Sequence, residues 1–172
     1  AYKVKDRNVR LLPKVMDALN ELMEDFYQAT GISDVNVISG FRSIQDQQSI
    51  MDRQVLAVGQ TEASRWVAKP GGSEHHTGYA LDLAIYTDEG ESLDFTGEGD
   101  YSWINENCSK YGFIVRYPEE KSGITGIAYE PWHYRYLGEP HAKLVTELGM
   151  CYEEYIDYLK GYPVDGEHLE AL

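Results

Sequence analysis

Ser73-Glu74-His75-His76-Thr77-Gly78-Tyr79-Ala80-Leu81-Asp82 is the stretch on which the reading of this chain turns. It leaves the turn Pro70-Gly71-Gly72 and enters a run, Tyr79 to Tyr86, that alternates as a strand does. Alternation puts Ala80, Asp82 and Ala84 on one face and Tyr79, Leu81, Leu83 and Ile85 on the other. A carboxylate between two small residues leaves room for a bound metal. His75 lies before the strand proper, so a bend near Gly78 must bring its imidazole to Asp82. A second stretch, Glu130-Pro131-Trp132-His133, adds another imidazole and another carboxylate. Catalytic Zn²⁺ takes three protein ligands from His and Asp/Glu and keeps a fourth position for water. It also needs a carboxylate that stays off the metal and accepts the water's proton. His75, Asp82 and His133 meet the first need and Glu130 the second. The competing reading is a chance assembly of His and Asp residues, since a motif needs structural context.

Outward from this stretch the chain reads as alternating short elements. Pro13 to Thr30 carries Met16, Leu19, Leu22, Met23 and Phe26 at helical spacing, with Pro13 in the first turn and Gly31 just past the end. Val35 to Phe41 is β-branched and alternating, a strand that ends at Arg42. Ser43 can cap the next helix, Ile44 to Val58, on which Ile44, Gln47, Gln48 and Met51 share one side. An arginine at a strand end beside a helix start suits anion recognition; the plainer reading is a surface ion pair. A short helix is expected within Thr61 to Lys69, a surface loop over Thr87 to Gly99, and a helix from Asp100 to Tyr111 ended by Gly112. Phe113 to Tyr117 reads as a strand and Pro118 to Gly126 as a polar loop. Arg116 and Tyr117 are candidates for lining a substrate cleft, with structural roles as the alternative. Tyr129 to Leu137 is the last strand. Glu130 and His133 are three apart, so a regular strand would aim them at opposite faces. Pro131 cannot donate to a ladder, which favours a bulge or a strand entry; the expectation is that Glu130 sits just before the regular strand. Pro140 to Leu148 and Tyr152 to Lys160 read as closing helices, followed by an acidic, loose tail after Tyr162.

Bulk properties bound the rest. A chain of 172 residues with 42% hydrophobic and 26% charged residues suits one globular domain, residues 1–172. The formal charge of −14 argues against nucleic acid and against an anionic membrane surface as partners. No run of 18 apolar residues suggests a membrane span. Cys108 and Cys151 are too few for a disulfide scaffold and are expected as thiols. His141 and His168 are expected at the surface, and His76 apart from the metal. Glu74 is either a carboxylate behind a ligand histidine or an exposed one.

The two motifs carry a resemblance. Ser73, His75, Gly78, Ala80 and Asp82, followed by Glu130 and His133, match the pattern Ser-x-His-x-x-Gly-x-Ala-x-Asp with a later Glu-x-x-His. This is the signature of the peptidoglycan-cutting LAS zinc metallopeptidases, which include the VanY and VanXY D,D-carboxypeptidases and the VanX D,D-dipeptidases. Gly112 to Pro118 and Thr125 to Gly138 are similar to the VanY/VanXY branch, and the similarity runs from about Val35 to about Leu159.

The resemblance implies an α+β fold, a small antiparallel sheet carrying zinc on one face and flanked by helices, as in the hedgehog signalling domain. It implies release of the terminal D-alanine from stem peptides or precursors ending in D-Ala-D-Ala, with one Zn²⁺ on His75, Asp82 and His133 of a monomer. Glu130 would be the proton acceptor. Arg42 would stabilise the oxyanion or hold the terminal carboxylate, with Ser73 and Gln47 anchoring that carboxylate. Rival readings are a dual dipeptidase/carboxypeptidase, an L,D-carboxypeptidase, an endopeptidase, and a zinc module without catalysis. Retention of Glu130 and Arg42 speaks against the last, because a structural zinc needs neither. The chain opens on Ala1, and an upstream export or anchor segment is expected, placing the protein outside the cytoplasm; the alternative is a cytoplasmic enzyme that trims precursors.

Overall fold

Residues 3–4, 9–87, 90 and 92–162 are described by the computed structural model. After a two-residue strand, β1 (Lys3–Val4), the first long element is helix α1 (Pro13–Thr30). Pro13 takes the first turn, where a missing N–H costs nothing, and the Gly31 N–H closes the helix on the Tyr27 carbonyl at 2.8 Å. Its stripe of Val15, Leu19, Leu22, Met23 and Phe26 is buried. Each such side chain, fully removed from water, stabilises the fold by roughly 1.5–3 kcal/mol.

The partner of that stripe is a sheet. Its strands are β2 (Val35–Ser39), β3 (Ala80–Tyr86), β4 (Ser92–Asp94), β5 (Phe113–Tyr117) and β6 (Glu130–Tyr136), in the order β1-β2-β3-β6-β5. β4 pairs with the second half of β3, beyond the half that pairs with β6. All pairings are antiparallel except β1 with β2. Val35, Val37, Leu81, Leu83, Phe113 and Tyr134 pack with the stripe of α1 into the main core. The opposite face carries Asp82 and, across the strand pair, His133.

Four further helices frame that second face: α2 (Ile44–Val58), α3 (Gln60–Trp66), α6 (Glu139–Glu147) and α7 (Tyr152–Lys160). The labels α4 (Ser102–Asn107) and α5 (Ser122–Thr125) belong to short turns of helix between strands. Ser43 caps α2 as its type allows, accepting from the Asp46 N–H at 3.1 Å while Asp46 reaches back to the Ser43 N–H. A smaller core of Ile114, Ala142, Val145 and Tyr155 seats α6 and α7 on β5.

Several expectations are refined. The loop expected over Thr87 to Gly99 contains β4 and the fully buried Phe95. The expected helix from Asp100 to Tyr111 is three short pieces, 3-10 turns at Gly99–Tyr101 and Cys108–Tyr111 around α4. The polar loop after Pro118 holds a 3-10 turn, Glu119–Lys121, and α5. Both cysteines are buried free thiols. The tail after Tyr162 lies outside the described residues. Among the described residues no helix is long and apolar enough to cross a membrane.

Candidate active site

A short 3-10 helix, Glu74–Thr77, delivers His75 to the sheet. Gly78 ends it in the left-handed region at φ 72°, which favours glycine, and the chain turns there into β3. The bend read from the sequence is therefore present. His75 is buried, and its Nδ1 sits 2.7 Å from the Gly40 carbonyl oxygen. A carbonyl only accepts, so Nδ1 carries a proton and Nε2 is the nitrogen left to face Asp82. That Nε2 lies 3.2 Å from Asp82 Oδ2. From the neighbouring strand, His133 Nδ1 lies 3.0 Å from Asp82 Oδ1.

These three residues offer one ligand atom each, all within 4.8 Å of one another. Tetrahedral zinc with bonds near 2.1 Å spaces its ligand atoms roughly 3.4 Å apart. Two imidazole nitrogens, each 3.0–3.2 Å from one of the two Asp82 oxygens, fit that requirement in type and lie close to it in spacing. The site is strongly polarised. Burial would raise the Asp82 carboxyl, but His75 and His133 hold it well below the usual carboxylate range. Burial would lower His133, but Asp82 and Glu74 raise it to about 9. Any cation at Nδ1 must displace that proton.

Glu130 completes the cluster without joining the triad. It is buried, and its Oε2 stands 3.8 Å from His133 Nδ1. Burial first, and Asp82 as a like charge, push its carboxyl up to about 7 against the pull of His133 and Arg42. The expectation that Glu130 precedes the strand is corrected, since β6 starts at Glu130 itself. A break in register reconciles the spacing. Val115 pairs with Tyr134 and Tyr117 with Glu130, so Pro131, Trp132 and His133 stand opposite the single residue Arg116. The distortion lets Glu130 and His133 line the same cleft.

Arg42, Gln47, Ser73 and Tyr117 also line the cleft. Arg42 Nη1 donates to Gln47 Oε1 at 2.7 Å, and Nη2 donates to Ser39 Oγ at 2.9 Å and lies 3.6 Å from Asp82 Oδ2. Gln47 is buried, and its Nε2 donates to the Ala68 carbonyl at 2.8 Å. Both ends of its amide are thus engaged, which makes it a brace for Arg42. Ser73 precedes the 3-10 helix without a side-chain cap bond. Tyr117 lies against the His133 ring, centroids 5.0 Å apart.

Arg116 is placed differently from the expectation. It is buried, outside the cleft lining, with Nε 2.8 Å from Glu74 Oε1 and its two Nη atoms on Glu153 at 2.9 and 2.5 Å. A guanidinium so committed has no reason to meet substrate. Glu74 is half-buried behind His133, its Oε2 3.6 Å from Nε2, which favours the first of its two readings. Burial alone would raise its carboxyl, but His133, Arg116 and Arg135 bring it down to about 2. His76 stays off the triad, and its ring joins backbone segments: Nδ1 donates to the Arg42 carbonyl at 2.7 Å and Nε2 accepts from the Gly71 N–H at 3.1 Å. His141 is half-buried, its Nδ1 2.5 Å from the Tyr155 hydroxyl, and His168 lies outside the described residues. The sequence reading missed Ser39 and Glu153. Ser39 escaped because strand alternation gave it no role, and Glu153 because no local pattern marks it.

Comparison with known proteins bears on the whole arrangement. A family model described as VanY, D-alanyl-D-alanine carboxypeptidase, matches residues 8–139. A D-alanyl-D-alanine carboxypeptidase of Enterococcus faecalis is 38% identical over 159 residues, covering 87% of this chain and 55% of the relative. The chain thus spans about half the length of that relative. Among solved structures, the D,D-dipeptidase VanXYg in complex with a D-Ala-D-Ala phosphinate analog superposes with a TM-score of 0.83 at 34% identity, covering 92% of this chain and 62% of that one. The LD-carboxypeptidase LdcB gives 0.77 at 35% identity, covering 88% and 72%. A variant of the VanB-type D,D-pentapeptidase VanY in complex with Zn(II) gives 0.77 at 36% identity, covering 88% and 86%. With the motif triad assembled on one sheet face, and with the match extending over most of the sequence, the chain belongs to the VanY D-alanyl-D-alanine carboxypeptidase family.

Proposed function

We propose that this chain is a zinc-dependent D-alanyl-D-alanine carboxypeptidase, one domain and one Zn²⁺ per monomer, that removes the terminal D-Ala from peptidoglycan stem peptides or precursors outside the cytoplasm. The observation that carries this reading is the convergence on one cleft of His75, Asp82 and His133 with two groups a structural zinc does not need, Glu130 and Arg42. The zinc complex of the related VanY and the dipeptide-analog complex of VanXYg support it.

His75 Nε2, Asp82 and His133 Nδ1 would hold the metal. When bound, zinc would polarise the scissile carbonyl and acidify the attacking water. Glu130 takes the proton from that water and delivers it to the leaving amine of D-alanine. In the metal-free protein burial and the Asp82 charge raise its carboxyl to about 7, and the charge of a bound zinc would lower it again, easing release of the proton to the leaving amine. Arg42 has five N–H donors and uses two of them on Gln47 and Ser39. Arg42 lines the cleft, and its remaining donors would meet either the carbonyl oxygen as it gains charge or the terminal carboxylate. Gln47 braces the guanidinium through its Oε1, and Ser73, buried in the cleft lining, offers a hydroxyl. Trp66, Ile127 and Trp132 give the cleft apolar walls beside these polar groups.

The test is free D-alanine released from a pentapeptide ending in D-Ala-D-Ala, from the free dipeptide and from the tetrapeptide, with Glu130→Ala as control. Pentapeptide cleavage supports the proposal, and added dipeptide cleavage makes the enzyme dual-function. The likeness to LdcB gives the tetrapeptide its place in the assay: cleavage of that substrate alone would reassign the chain as an L,D-carboxypeptidase. No release from any of the three, with zinc bound, would overturn the carboxypeptidase reading.

A further inference from the structure

The family match ends at residue 139, yet a side chain beyond it connects to the metal triad through buried charges. The connection starts at His133. Its Nε2 is buried and has no hydrogen-bond partner within normal distance among the described residues. Glu74 Oε2, also buried and without such a partner, lies 3.6 Å from it. The other Glu74 oxygen is occupied, receiving Arg116 Nε at 2.8 Å and facing Arg135 Nη1 at 3.4 Å. Arg116 in turn is gripped from α7, its two Nη atoms on the two carboxylate oxygens of Glu153. The rings of Tyr117 and Tyr152 cover the guanidinium, 4.6 and 5.1 Å from its carbon.

We infer that Glu153 of α7 is a positioning residue for the metal centre, acting through Arg116 and Glu74 to fix the orientation of His133. The inference rests on the zinc reading given above. A bidentate carboxylate locks the guanidinium plane, and the plane decides where Nε points. With one hydrogen of Nη1 and one of Nη2 held by Glu153, the guanidinium plane is set so that Nε is the nitrogen that reaches Glu74, and it takes Oε1. Oε2 is then turned toward His133 Nε2, 3.6 Å away, as the carboxylate oxygen that faces that N–H, and Nδ1 is left as the nitrogen that faces Asp82 and would take the metal. Without Glu153, the Arg116 fork can rotate and take both Glu74 oxygens. His133 then loses its acceptor and the preference for the metal-binding tautomer. Helix α7 is fixed independently: Glu154 pairs with Lys121 at 2.9 Å and accepts from the Cys151 N–H at 2.8 Å, and Tyr155 is buried in the second core. Loss of the Glu153 carboxylate should therefore leave the helix in place.

The experiment compares Glu153→Gln with Asp157→Asn, an exposed α7 carboxylate paired only locally with Lys160. Zinc affinity is read by competition with a chromophoric chelator, the geometry at the metal by the visible spectrum of the cobalt(II)-loaded protein, and folding by the melting temperature of the chelator-stripped protein. We expect Glu153→Gln to bind zinc about 10-fold more weakly, the low end for groups behind a ligand histidine, and to change the cobalt spectrum. Asp157→Asn should match the parent in both. Glu153→Asp, with a shorter carboxylate on the same face, should recover part of the affinity. Unchanged zinc affinity and cobalt spectrum in Glu153→Gln, whatever its melting temperature, would overturn the inference. A parent protein that binds zinc but releases no D-alanine would overturn the carboxypeptidase reading and leave this one standing. A parent that binds no zinc would overturn both.

Discussion

Arg42→Lys keeps the positive charge and removes the fork, which makes it the sharpest test of the cleft. In the parent, two guanidinium nitrogens bridge Gln47 Oε1 at 2.7 Å and Ser39 Oγ at 2.9 Å while the group stays 3.6 Å from Asp82. A lysine ammonium is a single point with three donors and cannot span both acceptors while also presenting an N–H to substrate. Two losses follow. Gln47 is buried, and an acceptor there left without its donor costs about 1–3 kcal/mol of folding stability. Loss of one donor to a developing oxyanion costs about 3 kcal/mol of barrier, or roughly 150-fold in kcat/KM. The assay is steady-state D-alanine release across a range of pentapeptide concentrations, with urea unfolding of the same preparations. A fall confined to kcat places Arg42 on the carbonyl oxygen; a rise confined to KM places it on the terminal carboxylate. A variant within threefold of the parent in kcat/KM, with cleavage otherwise intact, would refute both roles.

Other outcomes follow from the same geometry. His133→Ala and Glu130→Ala should both abolish turnover, but only His133→Ala should lose zinc in a chelator competition; retained tight zinc in His133→Ala would remove that residue from the ligand set. In the zinc-stripped protein, Glu130 has a folded pKa raised from 4.5 to about 7, so its ionisation penalty is absent below about 4.5, grows across that window and is complete above it. Glu130→Gln should therefore unfold at higher urea than the parent at pH 8, by on the order of 2 kcal/mol, and the gain should vanish near pH 4. In the loaded enzyme the metal's charge lowers that pKa, so kcat/KM should decline as pH falls through a limb lying below about 7; the lack of any acid limb down to pH 4 would exclude Glu130 as the base. Gly78→Ala places a Cβ at φ 72°, 3.3 Å from Leu12 Cγ. The strain should cost roughly 1–2 kcal/mol and weaken zinc binding through displacement of His75, measured by urea unfolding and chelator competition.

Much of this was legible in the sequence because local rules and tertiary demands agree there. The stripe of α1, the alternation of β3 and the capping serine of α2 each have one satisfactory burial, and the structure adopts it. The cluster of His75, Asp82 and His133 was legible because a site able to hold a metal restricts residue types. What escaped depends on distant partners. Arg116 sits two residues after Ile114 on β5, and nothing around it announces that Glu153, 37 positions later, will claim its guanidinium. The buried Phe95 and β4 hid in an acidic, glycine-containing segment because three paired residues leave too short a pattern to read.

The remaining misreadings have one cause, and it concerns how the site is made. The sheet departs from regular register twice, between Val37 and Ser39 in β2 and between Val115 and Tyr117 in β5. Both breaks border the strand pair that carries Asp82 and His133. In β2, Val37 pairs with Leu83 and Ser39 with Asp82, so Ile38 is an extra residue and is turned outward, 38% exposed. Strict alternation would set Ser39 on the same face as the core residue Val37. The extra residue moves it to the opposite face, where its hydroxyl meets Arg42 and lies 3.4 Å from His75 Nδ1. In β6, three residues opposite Arg116 bring Glu130 round to the cleft of His133. A regular sheet presents one residue in two to each face, which is too sparse to gather Asp82, His133, Glu130, Ser39 and Arg42 around one cleft. The two irregularities raise that density at one point. Period-two reading fails at Ser39 and Glu130 because the chain breaks its period where the chemistry is assembled.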